Sequence, residues 1–253
     1  MHFLEGDKMY YGGFGNIMSG YFLSYWYYLI IVGPALVFAL IAQSRVKSNF
    51  NKYSRIRNSR GITGAQAAQA VLNYYGITNV AIECVNGKLS DHFDPRSNKI
   101  RLSQEVYSSA SIAAVGVACH EAGHAAQYAN SYLPIKIRNN ILPICNIGST
   151  LGIPIALIGL FFSEPIGGFL TTFGLILYSL VSVFQLVTLP VEFNASRRAI
   201  KVIEETSLLY DDEVGGAVKV LKAAALTYVA ALATSLANLL RLVLLFSRRN
   251  NRS

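Results

Sequence analysis

The stretch SIAAVGVACHEAGHAAQ, residues 111–127, decides how this chain is read. It is alanine-rich, mostly apolar and without proline. A helix is therefore predicted from around Ser109–Ser111 to near Asn130, alanine-rich and buried on several sides. Into that apolar helix are set His120, Glu121 and His124, the pattern HExxH. Residues four apart share one helix face, so both imidazoles can reach a single metal ion, with Glu121 beside the open coordination position. Zinc held by three protein ligands keeps a water whose pKa falls to about 7, and Glu121 is the residue placed to take its proton. Without a metal or partners, burying these three polar side chains would cost several kcal/mol, on the order of a few per group. Cys119 adjoins the first histidine but points about 100° away around the helix, and reads as core packing.

The rest of the composition asks for lipid. Of 253 residues, 53% are hydrophobic and only 14% charged, too few charges to clothe a wholly aqueous surface. The length suits one catalytic unit with several membrane spans. The net charge of +8 resides in clusters beside apolar segments, which favours anionic lipid headgroups as a partner and argues against nucleic acid. Three cysteines without CxxC spacing argue against a disulfide framework and for a reducing compartment.

Apolar runs at 21–42, 141–162, 166–189 and 223–246 approach or exceed the ~20 residues that cross a bilayer as a helix. The fourth carries Asn238 and Arg241, so it either spans or lies in the interface. The first is too long, and too poorly preceded by basic residues, for a cleavable signal. Tyr21, Phe22, Tyr25, Trp26, Tyr27 and Tyr28 read as an aromatic belt at its outer end. Arg45, Lys47, Lys52, Arg55, Arg57 and Arg60 follow this span, whereas only Lys8 precedes it. That bias places residues 43–140 in the cytoplasm and the tail 1–20 outside. Lys136, Arg138, Arg197, Arg198 and Lys201 agree. The basic tail 247–253 does not, since four full spans put it outside.

Within residues 43–140, Thr63 and Gln66 form a capping box for a short amphipathic helix that Gly76 ends. Alternating residues then predict three strands near Val80–Val85, Lys88–His92 and Lys99–Leu102, with a hairpin turn at Asn86-Gly87 and a second turn at Asp94–Asn98. The segment Leu89–Phe93, including Asp91 and His92, is the expected edge strand along which an extended substrate lies.

A three-ligand site needs one more donor. Glu192 follows the third span on the segment 190–222, read as a cytoplasmic helix that brings a carboxylate to the interface. Pairing of Glu192 with Arg197 or Arg198 is the plain alternative, and Asp91, His92 and Asp94 are rival ligands. Residues 87–101, 111–127 and 190–199 together resemble the YugP-type family of membrane zinc peptidases, over nearly the whole chain. That resemblance implies an α-helical integral membrane protein of a bacterial cell membrane with a small α+β, gluzincin-like domain similar in layout to the HtpX and Ste24 proteases. It implies one Zn2+ per chain on His120, His124 and Glu192, with Glu121 as base. Where HtpX-like proteins often carry an aspartate four residues after the ligand glutamate, this chain has Ser196, a weaker partner for a ligand. Arg197 and Tyr228 are candidates for stabilising an oxyanion, against a plainer role as interfacial anchors.

The expectation is thus a membrane endopeptidase acting on a polypeptide or membrane protein at the cytoplasmic surface. Its rival is a zinc-binding scaffold with a closed, four-ligand site. A transporter is disfavoured because the ionisable residues gather outside the spans.

Overall fold

The computed structural model describes residues 26, 28–87 and 90–250, the last three without side chains. The expected tail 1–20, the aromatic residues Tyr21, Phe22, Tyr25 and Tyr27, and Leu89 lie outside the described residues. Helix α1 (Gly33–Tyr53) follows a π-helical turn at Tyr28–Val32, and α2 spans Gly64–Tyr74. Strands β1 (Ala81–Val85), β2 (His92–Asp94) and β3 (Lys99–Ser103) come next, then α3 (Gln104–Tyr107) and α4 (Ile112–Ala129). Three long helices complete the chain: α5 (Leu133–Ile158), α6 (Ile166–Glu205) and α7 (Asp211–Asn250).

Among the described residues, four stretches are long and apolar enough to cross a membrane: Tyr28–Tyr53, Leu133–Phe161, Ile166–Glu205 and Asp211–Ser247. They leave Ile144, Ile147, Phe169, Ile176, Leu186 and Leu240 exposed, an apolar surface suited to lipid. At 1.5 Å per residue, α6 and α7 are each about 60 Å long, twice the ~30 Å hydrocarbon layer. Each therefore continues well past the bilayer and ties the small domain to it. Arg241 on α7 sits over the Tyr28 ring, 5.1 Å from its centroid, which gives this cation an aromatic partner. Helices α5 and α6 meet at glycines. A Cβ on Gly152 would stand 2.7 Å from the Tyr178 backbone nitrogen, and one on Gly174 would stand 2.4 Å from that of Ala156. Small residues here let the two backbones touch.

Three features differ from the sequence reading. The second strand is His92–Asp94 instead of Lys88–His92, because Asp91 is held by Ser103 before the strand begins. The segment 190–222 is not one helix. Helix α6 runs through Pro190 to Glu205, the chain turns with Ser207 at φ +51, and α7 starts afresh at Asp211. Asp211, Asp212 and Glu213 in its first turn complement the positive end of a new helix dipole.

The sheet order is β1-β3-β2, with β1 parallel to β3 and β2 antiparallel to it. Asn86-Gly87 therefore does not close a hairpin between neighbouring strands. The chain passes β3 instead, and Asp91 fixes the crossing by accepting hydrogen bonds from Ser103 N at 2.7 Å and Ser103 Oγ at 3.0 Å. The turn Asp94–Asn98 does form the β2–β3 connection, with Asn98 at φ +50.

The local helix signals act as read. Thr63 Oγ1 accepts from Gln66 N while Gln66 Oε1 accepts from Thr63 N, and Ser111 Oγ accepts from Ala114 N to start α4. Helix α4 lies in the core, with Ala118, Cys119, Ala122 and Ala126 fully buried against α2, α6 and α7. Cys119 Sγ turns to Ala67 O at 3.8 Å, and burial pushes its thiol pKa well up.

Candidate metal centre

Helix α4 presents His120 and His124 on one side, their rings edge to face at 4.8 Å between centroids. Helix α6 brings Glu192 to them across a close contact at Gly123. A Cβ on Gly123 would lie 2.7 Å from Ala195 O, so glycine at the fourth position of HEAGH lets the two helices approach. Glu192 is buried, and its Oε2 stands 3.4 Å from His120 Nε2 and 3.5 Å from His124 Nε2. These three donor atoms lie within 4.8 Å of one another.

The outer nitrogens of both imidazoles are tied to protein. His120 Nδ1 lies 3.1 Å from Ser196 Oγ, one helical turn past Glu192. His124 Nδ1 lies 3.0 Å from Gln127 Oε1. Gln127 is fully buried, and its amide nitrogen donates to Val191 O at 2.8 Å and Asn194 Oδ1 at 3.0 Å. With the amide nitrogen committed to two acceptors, Oε1 can only accept, so His124 carries its proton on Nδ1 and keeps the Nε2 lone pair free. Arg138 Nη1, from α5, lies 3.5 Å from Glu192 Oε1. That leaves Oε2, which has no hydrogen-bond partner among the described residues, as the oxygen aimed at the histidines. A buried carboxylate oxygen without a donor, facing two imidazole lone pairs, fits a divalent cation with nitrogen and oxygen ligands.

Glu121 lies one residue around the helix from His120. Its Oε2 accepts a hydrogen bond from Phe93 N at 3.1 Å, so its carboxylate is steadied by the backbone of β2. Burial is the largest influence on Glu121 and raises its pKa; Glu192 and Asp91 add to this, while the charges of His120 and His124 oppose it. A cavity of about 170 Å³ opens beside these groups, with Asp91, His120, Glu121, Glu192, Ser196 and Tyr228 among its lining.

The structure separates the other candidates. Asp91 lines the cavity with its carboxylate turned to Ser103. The Phe93 ring packs edge-on against Tyr128 of α4 at 5.3 Å. His92 points to the other side, with Nδ1 2.7 Å from Ser90 O and Nε2 3.5 Å from Arg101 Nη1. Asp94 accepts from Ser97 Oγ, Arg101 Nη1 and Arg96 N, which hold its carboxyl well below the usual carboxylate range. Neither His92 nor Asp94 joins the three-donor group. Arg197 is exposed, and Arg198 donates to Asn194 Oδ1 and stacks on Tyr75, so neither takes up Glu192. Sequence reasoning missed Gln127 and Arg138. Gln127 could have been noticed from its place one turn after His124, but no local pattern connects Arg138 to a residue 54 positions away.

Residues 28–247 match the family described as "Putative neutral zinc metallopeptidase". The chain is 43% identical over 219 residues, 87% of its length and 96% of the relative's, to the "Putative membrane protease YugP" of Bacillus subtilis (strain 168). No solved structure matches it. The family match runs from α1 to α7 and takes in every residue that builds the three-donor group, and the chain therefore belongs to this zinc metallopeptidase family.

Proposed function

We propose that this chain is a membrane-embedded endopeptidase that holds one zinc ion on His120, His124 and Glu192 and hydrolyses peptide bonds at the cytoplasmic membrane surface. The observation that carries the reading is the buried Glu192 Oε2, unpartnered and within 3.5 Å of both imidazole Nε2 atoms. When bound, zinc supplies Lewis acidity to a water or carbonyl oxygen.

The protein's own groups do the rest. Ser196 and Gln127 orient the two imidazoles, and Arg138 turns the ligand carboxylate. Glu121 accepts a proton from the attacking water and delivers it to the leaving amine. Its hydrogen bond from Phe93 N–H keeps one carboxylate oxygen fixed during that transfer. Tyr228, on the cavity wall, is a candidate donor to the developing oxyanion.

Strand β2 is one of the two edge strands of the sheet and packs on α4 beside Glu121. Phe93 N–H is committed to Glu121, and the backbone of Ser90 and Asp91, just before β2, is the stretch assigned here to an extended peptide. The cytoplasmic orientation rests on the basic residues between Arg45 and Arg60, which also suit anionic headgroups. A polypeptide at that surface, or a membrane protein, is the substrate class that a tethered site can reach.

The test is metal analysis of the purified protein beside hydrolysis of an unfolded reporter protein. Zinc near one per chain with chelator-sensitive cleavage is the expected result. Stoichiometric zinc with no cleavage of any reporter would instead favour a structural metal.

A further inference from the structure

Besides its polar groups, the cavity beside the three-donor group is lined by Val46 and Phe50 from α1, Val117 from α4, and Leu221, Ala224 and Ala225 from α7. Two of these helices belong to the candidate membrane spans. The carboxylates in its lining have other work: Asp91 holds Ser103, Glu121 receives Phe93 N–H, and Glu192 faces the histidines and Arg138. A charged side chain placed among the apolar walls would lose its water without a charged partner among them. The volume, about 170 Å³, also discriminates. An apolar cavity of roughly 150 Å³ admits a benzene ring.

We infer that this cavity is a specificity pocket that takes one large apolar or aromatic side chain of the substrate, at a position next to the bond being cut. The inference rests on the proposed peptidase activity and adds the substrate class. The bond chosen is one flanked by Leu, Ile, Met or Phe, such as occurs in membrane-inserted or unfolded segments. Ala224, whose side chain is small and only half-buried, sets the depth of the pocket from the α7 side. Val46 sets it from the α1 side.

The experiment is cleavage-site mapping by mass spectrometry on an unfolded reporter protein, with full-length detergent-purified enzyme and its zinc content measured in parallel. Wild type is expected to enrich large apolar residues at one position next to the cut by about tenfold or more, in line with the 10–200-fold that a methylene can be worth in an apolar pocket. Ala224→Leu narrows the pocket and should shift the preference to Gly, Ala and Ser at that position, with zinc unchanged and cleavage retained. Val46→Ala widens it and should move the preference toward Phe and Trp, which keeps the test open if Ala224→Leu does not fold. Cleavage by wild type without preference at either neighbouring position would overturn the pocket while leaving the peptidase intact. Absence of any cleavage by zinc-loaded wild type would overturn the activity, and the pocket with it.

Discussion

Gln127 Oε1 rests 3.0 Å from His124 Nδ1, while the same amide reaches back to Val191 O beside Glu192. One buried side chain thus joins the two helices that supply the three donors. It orients one ligand and braces the backbone next to another. Gln127→Leu should lower zinc affinity by about 10–100-fold, the usual effect of losing a ligand's hydrogen-bond partner. Metal competition with a chromogenic chelator measures this directly. Affinity equal to wild type in folded protein would show that Gln127 only packs.

Glu121 and Glu192 should divide metal binding from turnover. Glu121→Gln removes the base and none of the three donors, so zinc should remain while kcat falls by about 10²–10⁴. Glu192→Ala should lose most of the zinc. Asp94→Ala should lose none, since that carboxylate is spent on Ser97, Arg101 and Arg96. Metal content and reporter cleavage across the three variants provide the check, and wild-type cleavage by Glu121→Gln would remove Glu121 from the mechanism.

Gly123 is a demanding position for a single methyl group. A Cβ there would come within 2.7 Å of Ala195 O, three residues from the ligand carboxylate. Gly123→Ala should force α4 and α6 apart, at a cost of about 1–3 kcal/mol in stability. Zinc occupancy should fall even in protein that stays folded. Thermal unfolding and metal analysis on the same preparation separate the two effects, and unchanged occupancy would mean that the contact is elastic.

Orientation in the membrane can be read with single cysteines in a background lacking Cys84, Cys119 and Cys145. Asn58 is unsuitable as a reporter because it is 2% exposed and hydrogen-bonds to Ile62 and Ala110. Arg96, in the β2–β3 turn, and Ser163, between α5 and α6, are both exposed. An impermeant thiol reagent on intact cells should label Ser163→Cys and spare Arg96→Cys. The opposite pattern would put the three-donor group outside the cell.

What could be read without coordinates was local or periodic. The caps of α2 and α4, the apolar lengths of the four spans and the i, i+4 pairing of His120 with His124 all follow from neighbours in the chain. Other features depend on contacts distant in sequence, and those were hidden. Asn86-Gly87 has the chemistry of a hairpin turn, yet the hydrogen bonds between Asp91 and Ser103 send the strand past β3 to its far edge. Arg138 read as a topogenic charge because nothing near it in the chain foretells Glu192. The third span was expected to end at 189 and a separate helix to begin at 190, but α6 carries Pro190 within one continuous helix and stops only at Glu205.

That continuity makes α6 a gauge of height. The candidate span that starts at Ile166 belongs to the same helix as Glu192, and that helix continues without interruption through Pro190. On the proposed reading, this continuity sets the elevation of the cutting position above the lipid. Bonds would then be chosen partly by how far they protrude from the bilayer, and a thicker or thinner membrane would change which bonds come level with the blade.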